Sequence, residues 1–343
     1  MKKKMQIELV PDEKRENLDF LGHIMCPLKD LFSTRMNAFI EAYNGVHEPK
    51  INGVIPMGSC GTDIYFDITS IQDTLKFPSV LTESGYGEFF EPGIAQGYQA
   101  KGVFEYVSPS ETNPGFDTLK LGDPGRMFNI FGAMPYVMLV NTKKLGSSPV
   151  PQRISDLMEP CYKGKIVTGH TGEDINELIL LELYKNYGEA GVRAFARNFA
   201  EPMKTIDMVH AAVRGANDYA VYILPYFFAK AAPKHDFLRL VWPEDGALFC
   251  PMYVIVKKER NKDFDVLLDF LFGDEFGQAM ADMHFPHVHP RVDNKLPGSG
   301  KFQWVGWDYL YEMNVFHRVK EIEKIFYDER PDIMRMPAAA SMV

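Results

Sequence analysis

The chain has 343 residues, 46% hydrophobic and 24% charged, enough for two domains with sizeable cores. Its formal charge is −9, with both signs interspersed and no basic block beyond Lys2, Lys3 and Lys4, which weighs against nucleic acid as a partner. No apolar run approaches the roughly 18 residues of a membrane span, so no membrane insertion is expected.

Residues 1–17 begin basic and continue as QIELVPDEKREN, with neither the apolar stretch of about seven residues nor the small-residue cleavage site of an export signal. A cytoplasmic protein is expected from the chain as written, with a periplasmic or other extracytoplasmic one as the alternative if a leader was removed. The cysteines, Cys26, Cys60, Cys161 and Cys250, are far apart and include no C-x-x-C. Reduced thiols are expected rather than a zinc ribbon or a disulfide framework.

In chain order, Leu18–Ile24 is a short apolar strand candidate, and beyond Cys26-Pro27 the positions Leu28, Leu31, Phe32, Met36, Phe39 and Ile40 recur at helical spacing. Val54–Met57 begins a second such unit. Phe77–Thr82 has the composition of a buried parallel strand and runs into the turn-forming Glu83–Gly87. Open α/β sheets bind ligands outside the carboxyl ends of their strands, so loops 25–27, 57–61 and 83–87 are expected to wall a site. Met25, Cys26, Met57, Ser59, Cys60, Ser84, Gly85 and Tyr86 are the candidates there. Met25, Cys26, Met57 and Cys60 are soft sulfur donors that, with His23 or His170 near, would suit a soft or borderline metal or its chelate. Cys26, Cys60 and His170 are therefore metal candidates, although buried apolar packing is the commoner use of cysteine and methionine.

Met134–Leu145 reads as an apolar strand ending in NTKKL, with Pro135 at its start counted among the ligand-binding residues. Next come a proline, a helix at DLMEP and a strand at KGKI. Ile175, Leu178, Ile179, Leu181 and Leu183 mark a helix for which Thr171 and Asp174 form a capping box. Free amides at that start would cradle a carboxylate or oxyanion, which adds His170, Thr171 and Gly172 to the candidates. Equally, Glu173 and Asp174 would simply complement the helix dipole. Met208–Arg214 is a helix stopped by Gly215, and Tyr219–Leu224 is a buried strand. Tyr226, in the loop after it, is placed to face a solute, while Tyr219 and Tyr222 read as core aromatics. Val241–Pro290 reads as an acidic turn, a buried strand, a basic turn, an amphipathic helix and a Pro/His loop. His284, His287 and His289 lack helical zinc spacing and read as surface or packing residues.

The run PQRISDLMEPCYKGKI, following the NTKKL strand, and the later PEDGA, VIVKK and EFGQAMA segments carry a resemblance. Over residues 18–291 the chain resembles the iron(III), thiamine, putrescine and aminoethylphosphonate subgroup of type 2 periplasmic substrate-binding proteins. That implies an α/β, two-lobed Venus flytrap fold with an extra C-terminal helical segment. The lobes implied are 1–140 and 141–247, with 248–330 returning to the first lobe and carrying helices packed on it, and 331–343 as a fraying tail. Crossings near 136–144 and 248–257 would let the lobes close over a guest.

The resemblance further implies a monomeric solute-binding component of an ABC-type uptake system, with a permease partner, no resident cofactor and a small molecule or metal chelate as guest. In the iron-binding members two adjacent tyrosines hold ferric ion, whereas Tyr219, Tyr222 and Tyr226 include no adjacent pair. No G-x-S-x-G, phosphate-binding loop or H-E-x-x-H occurs. The alternative is a cytosolic enzyme or ligand sensor on the same fold, such as the pyrimidine-synthase branch of thiamine biosynthesis, whose cysteine-rich motif the chain lacks.

Overall fold

The computed structural model describes residues 18–56, 77–86, 88–90, 97–169, 175–215, 217–298, 300–312 and 315–333. The first part contains β1 (Phe20–Gly22), α1 (Lys29–Val46), β2 (Gly53–Val54) and β3 (Val80–Ser84). A long strand, β4 (Phe128–Asn141), leads to β5 (Ile166–Thr168), α2 (Glu177–Asn198), β6 (Phe199–Pro202), α3 (Thr205–Arg214), β7 (Val221–Pro225), α4 (Tyr226–Ala231) and β8 (Leu238–Val241). The chain returns through β9 (Ala247–Val256), α5 (Val266–Leu271) and α6 (Asp274–Asp282), and ends with β10 (Phe302–Gln303), α7 (Gly306–Glu312) and α8 (Val315–Glu329).

The strands form one sheet in the order β2-β1-β3-β9-β4-β7-β5-β6, with β10 on β9 and β8 on β4. β1 is parallel to both β2 and β3, and α1 makes the crossover that the β1–β2 pair requires. β4 and β9 join the two ends. The first part of β4 lies antiparallel to β9, from Phe128 opposite Ile255 to Tyr136 opposite Leu248. From Tyr136 to Val140 it pairs instead with β7. Both strands are buried along their whole length, which explains their unbroken apolar sequence.

β4 is irregular between Ile130 and Gly132, and the loop after α6 packs into the break. Ala133 N donates to Pro286 O, and Val288 N donates to Phe131 O. A Cβ on Gly132 would come within 2.9 Å of both Pro286 O and Met280 Cε, so the loop needs glycine there. His287 is fully buried behind the bulge. Its Nε2 donates to Leu271 O at 2.9 Å and its Nδ1 accepts from His289 N, while burial pushes its pKa down to about 4. Of the sequence-read His-rich loop, this histidine is a packing residue.

Polar staples hold the other junctions. Buried Asn129 accepts from the amides of Val107 and Ser108 and donates to Glu105 O and Val254 O. The Arg260 side chain, 1% exposed, binds Glu105 at 2.6 Å and Asp265 at 2.7 Å. α3 ends on Gly215 at φ +60°, the left-handed stop read from the sequence.

Three sequence readings change. α2 begins at Glu177 and is capped by Asn176, whose side chain accepts from Leu178 N, rather than by the Thr171/Asp174 box. Residues 170–174 lie outside the described residues. The C-terminal helices do not pack only on the first part of the chain. Trp307 of α7 stacks on Phe128, but α8 lies along α2, with Phe326 against Phe195 and Phe199 and Glu329 bridging Arg193 and Arg197. The amphipathic stripe of α8 was legible, but its partner was not. Lastly, Cys26 is disulfide-bonded rather than reduced, whereas Cys161 and Cys250 are free thiols.

Candidate functional site

The carboxyl ends of β1 and β3 lie side by side because the strands pair in register from Phe20–Val80 to Gly22–Thr82. This places His23 beside Glu83: His23 Nδ1 lies 2.7 Å from Glu83 Oε1, and Ser84 N donates to the same oxygen at 2.8 Å. The histidine side chain is 24% exposed and the glutamate 9%, so the pair sits at the sheet edge with one member open to solvent. Thr82 Oγ1 donates to His23 O and fixes the loop. Lys29, at the start of α1, has its pKa lowered by burial against an opposing pull from Glu83.

Gly85 follows at φ +77°, a left-handed turn that suits glycine, and its N donates to Pro251 O of β9 at 2.8 Å. The turn presents Tyr86, partly exposed, whose hydroxyl accepts from Trp304 Nε1 at 2.8 Å. Behind it, burial pushes the Cys250 thiol far above its ordinary range, with Glu177 and Glu83 adding to the shift, so Cys250 is a protonated, unreactive thiol. Tyr253, opposite Glu83 across the strands, is fully buried, and its hydroxyl has no hydrogen-bond partner among the described residues.

α2 supplies the facing acids. Glu177 and Glu182 both act electrostatically on Tyr86, whose pKa is raised first by burial and then by Glu182. Glu182, 4% exposed, is pushed up to about 7 by burial, against smaller opposing pulls from Lys185 and its hydrogen bond to Asn186. His23, Glu83, Ser84, Gly85 and Tyr86 thus gather at one edge, with Tyr86 within electrostatic reach of the first turns of α2.

Of the sequence-read candidates, the structure brings Ser84, Gly85 and Tyr86 together, with Met25 half-buried in the neighbouring loop. Cys26 leaves the metal set because a disulfide sulfur is not the thiolate a soft metal takes. Pro135 is buried inside β4 opposite Phe249 and forms no loop wall. Tyr226 opens helix α4 rather than lying in a loop. It is 3% exposed, edge-on to Trp242 and against His284, so it does not face solvent. Tyr222 gives its hydroxyl hydrogen bond to Asn217. Met57, Ser59, Cys60, His170, Thr171 and Gly172 lie outside the described residues. Among the described residues, no group of three or more His, Cys, Asp or Glu is placed to hold a metal ion.

Sequence reading missed Trp304, Glu177 and Glu182 as site residues. Glu83 was read only as part of a turn, although its position at a parallel strand's carboxyl end was a usable signal. A cavity of 720 Å³ lies elsewhere, where α2 and α8 end, beside Lys163, Arg197, Tyr219, Glu329 and Arg330. Its Arg197 and Glu329 are paired with each other at 2.8 Å, and none of the candidate site residues lines it.

Residues 76–313 match the family described as bacterial extracellular solute-binding protein. The chain belongs to that family. It is a solute-binding protein rather than an enzyme. The family's extracellular setting goes against the cytoplasmic expectation and with its alternative. A search of curated proteins finds no match. The fold is similar to that of the apo ferric ion-binding protein A of Pasteurella haemolytica, with a TM-score of 0.65 and 16% identity over 91% of this chain and 98% of that one. It is similar also to a Trichodesmium protein in complex with iron and citrate, with a TM-score of 0.63 and 16% identity over 90% of this chain and 98% of that one. A Clostridium perfringens ABC transporter structure gives a TM-score of 0.62 at 15% identity over 91% of this chain and all (100%) of that one. These likenesses place this solute-binding protein in the two-lobed α/β class expected from its sequence. No helix among the described residues is long and apolar enough to cross a membrane.

Proposed function

We propose that the protein is the solute receptor of an ABC-type uptake system, working outside the cytoplasm and delivering its guest to a membrane permease. The observation that carries this reading is the His23–Glu83–Ser84 knot at the carboxyl ends of two adjacent parallel strands, next to Tyr86, on which the first turns of α2 act. Ligand sites of open α/β sheets occupy this position. Lobes of about 1–140 and 141–247, with the 248–330 return, would close on β4 and β9 as flexures, and a guest touching both sides would favour the closed form. The disulfide at Cys26 supports an oxidising compartment.

The guest is a small molecule or a metal chelate rather than a resident cofactor. Ferric ion held by paired phenolates is not favoured, because Tyr222 is tied to Asn217 and Tyr226 is enclosed. Thermal unfolding with ferric citrate, nickel, thiamine, putrescine and 2-aminoethylphosphonate tests the reading, since a guest that binds only the folded state raises the midpoint. A rise that Glu83→Ala abolishes supports this site. A rise that survives Glu83→Ala and His23→Ala together moves the site elsewhere, and a probe that is chemically converted rather than returned intact defeats the receptor reading.

A further inference from the structure

We infer that Trp304 is a positioning residue of the solute site: through its indole N–H it fixes Tyr86 so that the tyrosine presents its own hydrogen to an acceptor oxygen on the guest. This rests on the binding reading above. Tyr86 and Trp304 are 218 positions apart, and their side chains meet at 2.8 Å. Trp304 is 7% exposed, wedged against Phe249 and Trp307, and its carbonyl accepts from Lys185 Nζ of α2. Phe249 of β9 and Trp307 of α7 hold the indole, Lys185 of α2 ties its backbone, and Tyr86 belongs to the loop that leaves β3.

An indole nitrogen can only donate. In this pair the Tyr86 oxygen is the acceptor, and the phenol hydrogen is left for another partner. That phenol stays protonated, because burial and the nearby carboxylates raise its pKa well above the ordinary value. A guest approaching the β3 loop thus meets an O–H donor whose oxygen is fixed by the packed indole. The chemistry it selects is a hydrogen-bond acceptor oxygen, such as that of a carboxylate, phosphonate or hydroxyl group, rather than an ammonium group.

The test has two arms. Three tryptophans give three indole N–H signals in a nitrogen-15 correlation spectrum. Tyr86→Phe is expected to move one of them, and Trp304→Phe to delete that same signal. If Tyr86→Phe moves none, or moves a signal that Trp304→Phe leaves in place, the inference is overturned. In the second arm, calorimetry compares ferric citrate, 2-aminoethylphosphonate and putrescine. An oxygen-bearing probe is expected to bind about three- to tenfold more weakly to each single variant, with the double variant no worse than either. Putrescine binding, where present, is expected to be unchanged. If a bound oxygen probe is indifferent to both substitutions, or if putrescine is the probe that loses affinity, Trp304 is packing and the inference fails. If no probe binds, that outcome counts against the solute reading, and the indole signals decide the Tyr86–Trp304 contact on their own.

Discussion

Two histidines, His23 and His287, sit against the same sheet and have opposite fates. His23 lies at the strand ends with a carboxylate for a partner and a quarter of its side chain open, whereas His287 is sealed behind the β4 bulge and bound only to backbone. Access and the kind of partner, not residue type, separate a group that can meet a solute from one that fills space. A buried ring satisfied by carbonyl and amide is placed to add stability, and an edge ring paired with a glutamate is the one the proposed site would use for affinity.

The comparison can be broken most severely at His287. Replacing it with alanine leaves the Leu271 carbonyl and the His289 amide without their ring partners and opens a void, so a loss of roughly 3–4 kcal/mol is expected in urea unfolding. A loss below about 1 kcal/mol would mean that the bulge is not a packing unit. Gly132→Val, which drives a side chain into Pro286 O and Met280, is expected to cost roughly 2–3 kcal/mol, with solute affinity kept once the protein is folded.

A pH series sharpens the contrast between wet and dry groups. Glu182 is raised from 4.5 to about 7 on folding, so the native state holds more protons than the unfolded state in that window. Its contribution is complete below pH 4.5 and is lost as pH rises towards 7. His287 runs the other way. Lowered from 6.5 to about 4, it favours the native state above pH 6.5 and loses that advantage as pH falls. Between pH 4.5 and 6.5 the two slopes oppose each other. Glu182→Gln is therefore expected to expose the histidine slope and to stabilise the protein by roughly 2 kcal/mol at pH 8. A variant whose stability curve overlays that of the parent would show that Glu182 is solvated.

The smallest effect on stability is expected at the edge. His23→Ala removes a partly exposed pair and should change folding by no more than about 1 kcal/mol. It should nevertheless weaken any probe bound at the site by about tenfold. A large stability loss with affinity intact would turn His23 into a second His287.

Much of the frame was legible because it follows local rules. The apolar spacing from Leu28 to Ile40 gave α1, Gly215 stopped α3, and the loop after β3 was placed at a sheet edge by its Gly and Ser content. Strand limits slipped by a few residues, Phe77–Thr82 being read where β3 runs from Val80 to Ser84, since apolar composition does not mark where pairing begins. What stayed hidden depends on long-range meeting. Nothing near Tyr86 announces Trp304, nothing near α8 names α2 as its bed, and no spacing shows that Cys26 is oxidised. Tyr226 was misplaced because a loop was expected after the strand, whereas α4 begins there directly behind Pro225, a residue at home in front of a helix.

Arg330, just past α8, has a consequence for measuring motion. Its guanidinium donates to the carbonyls of Ala196, Phe199 and Ala200, and its own Asp332 locks it in place. The last helix is thereby riveted to the far end of α2. A fluorophore on the exposed face of α8, read against one on α1, would therefore test the proposed closure by the change in their separation when a probe is added, without a reporter inside the groove itself.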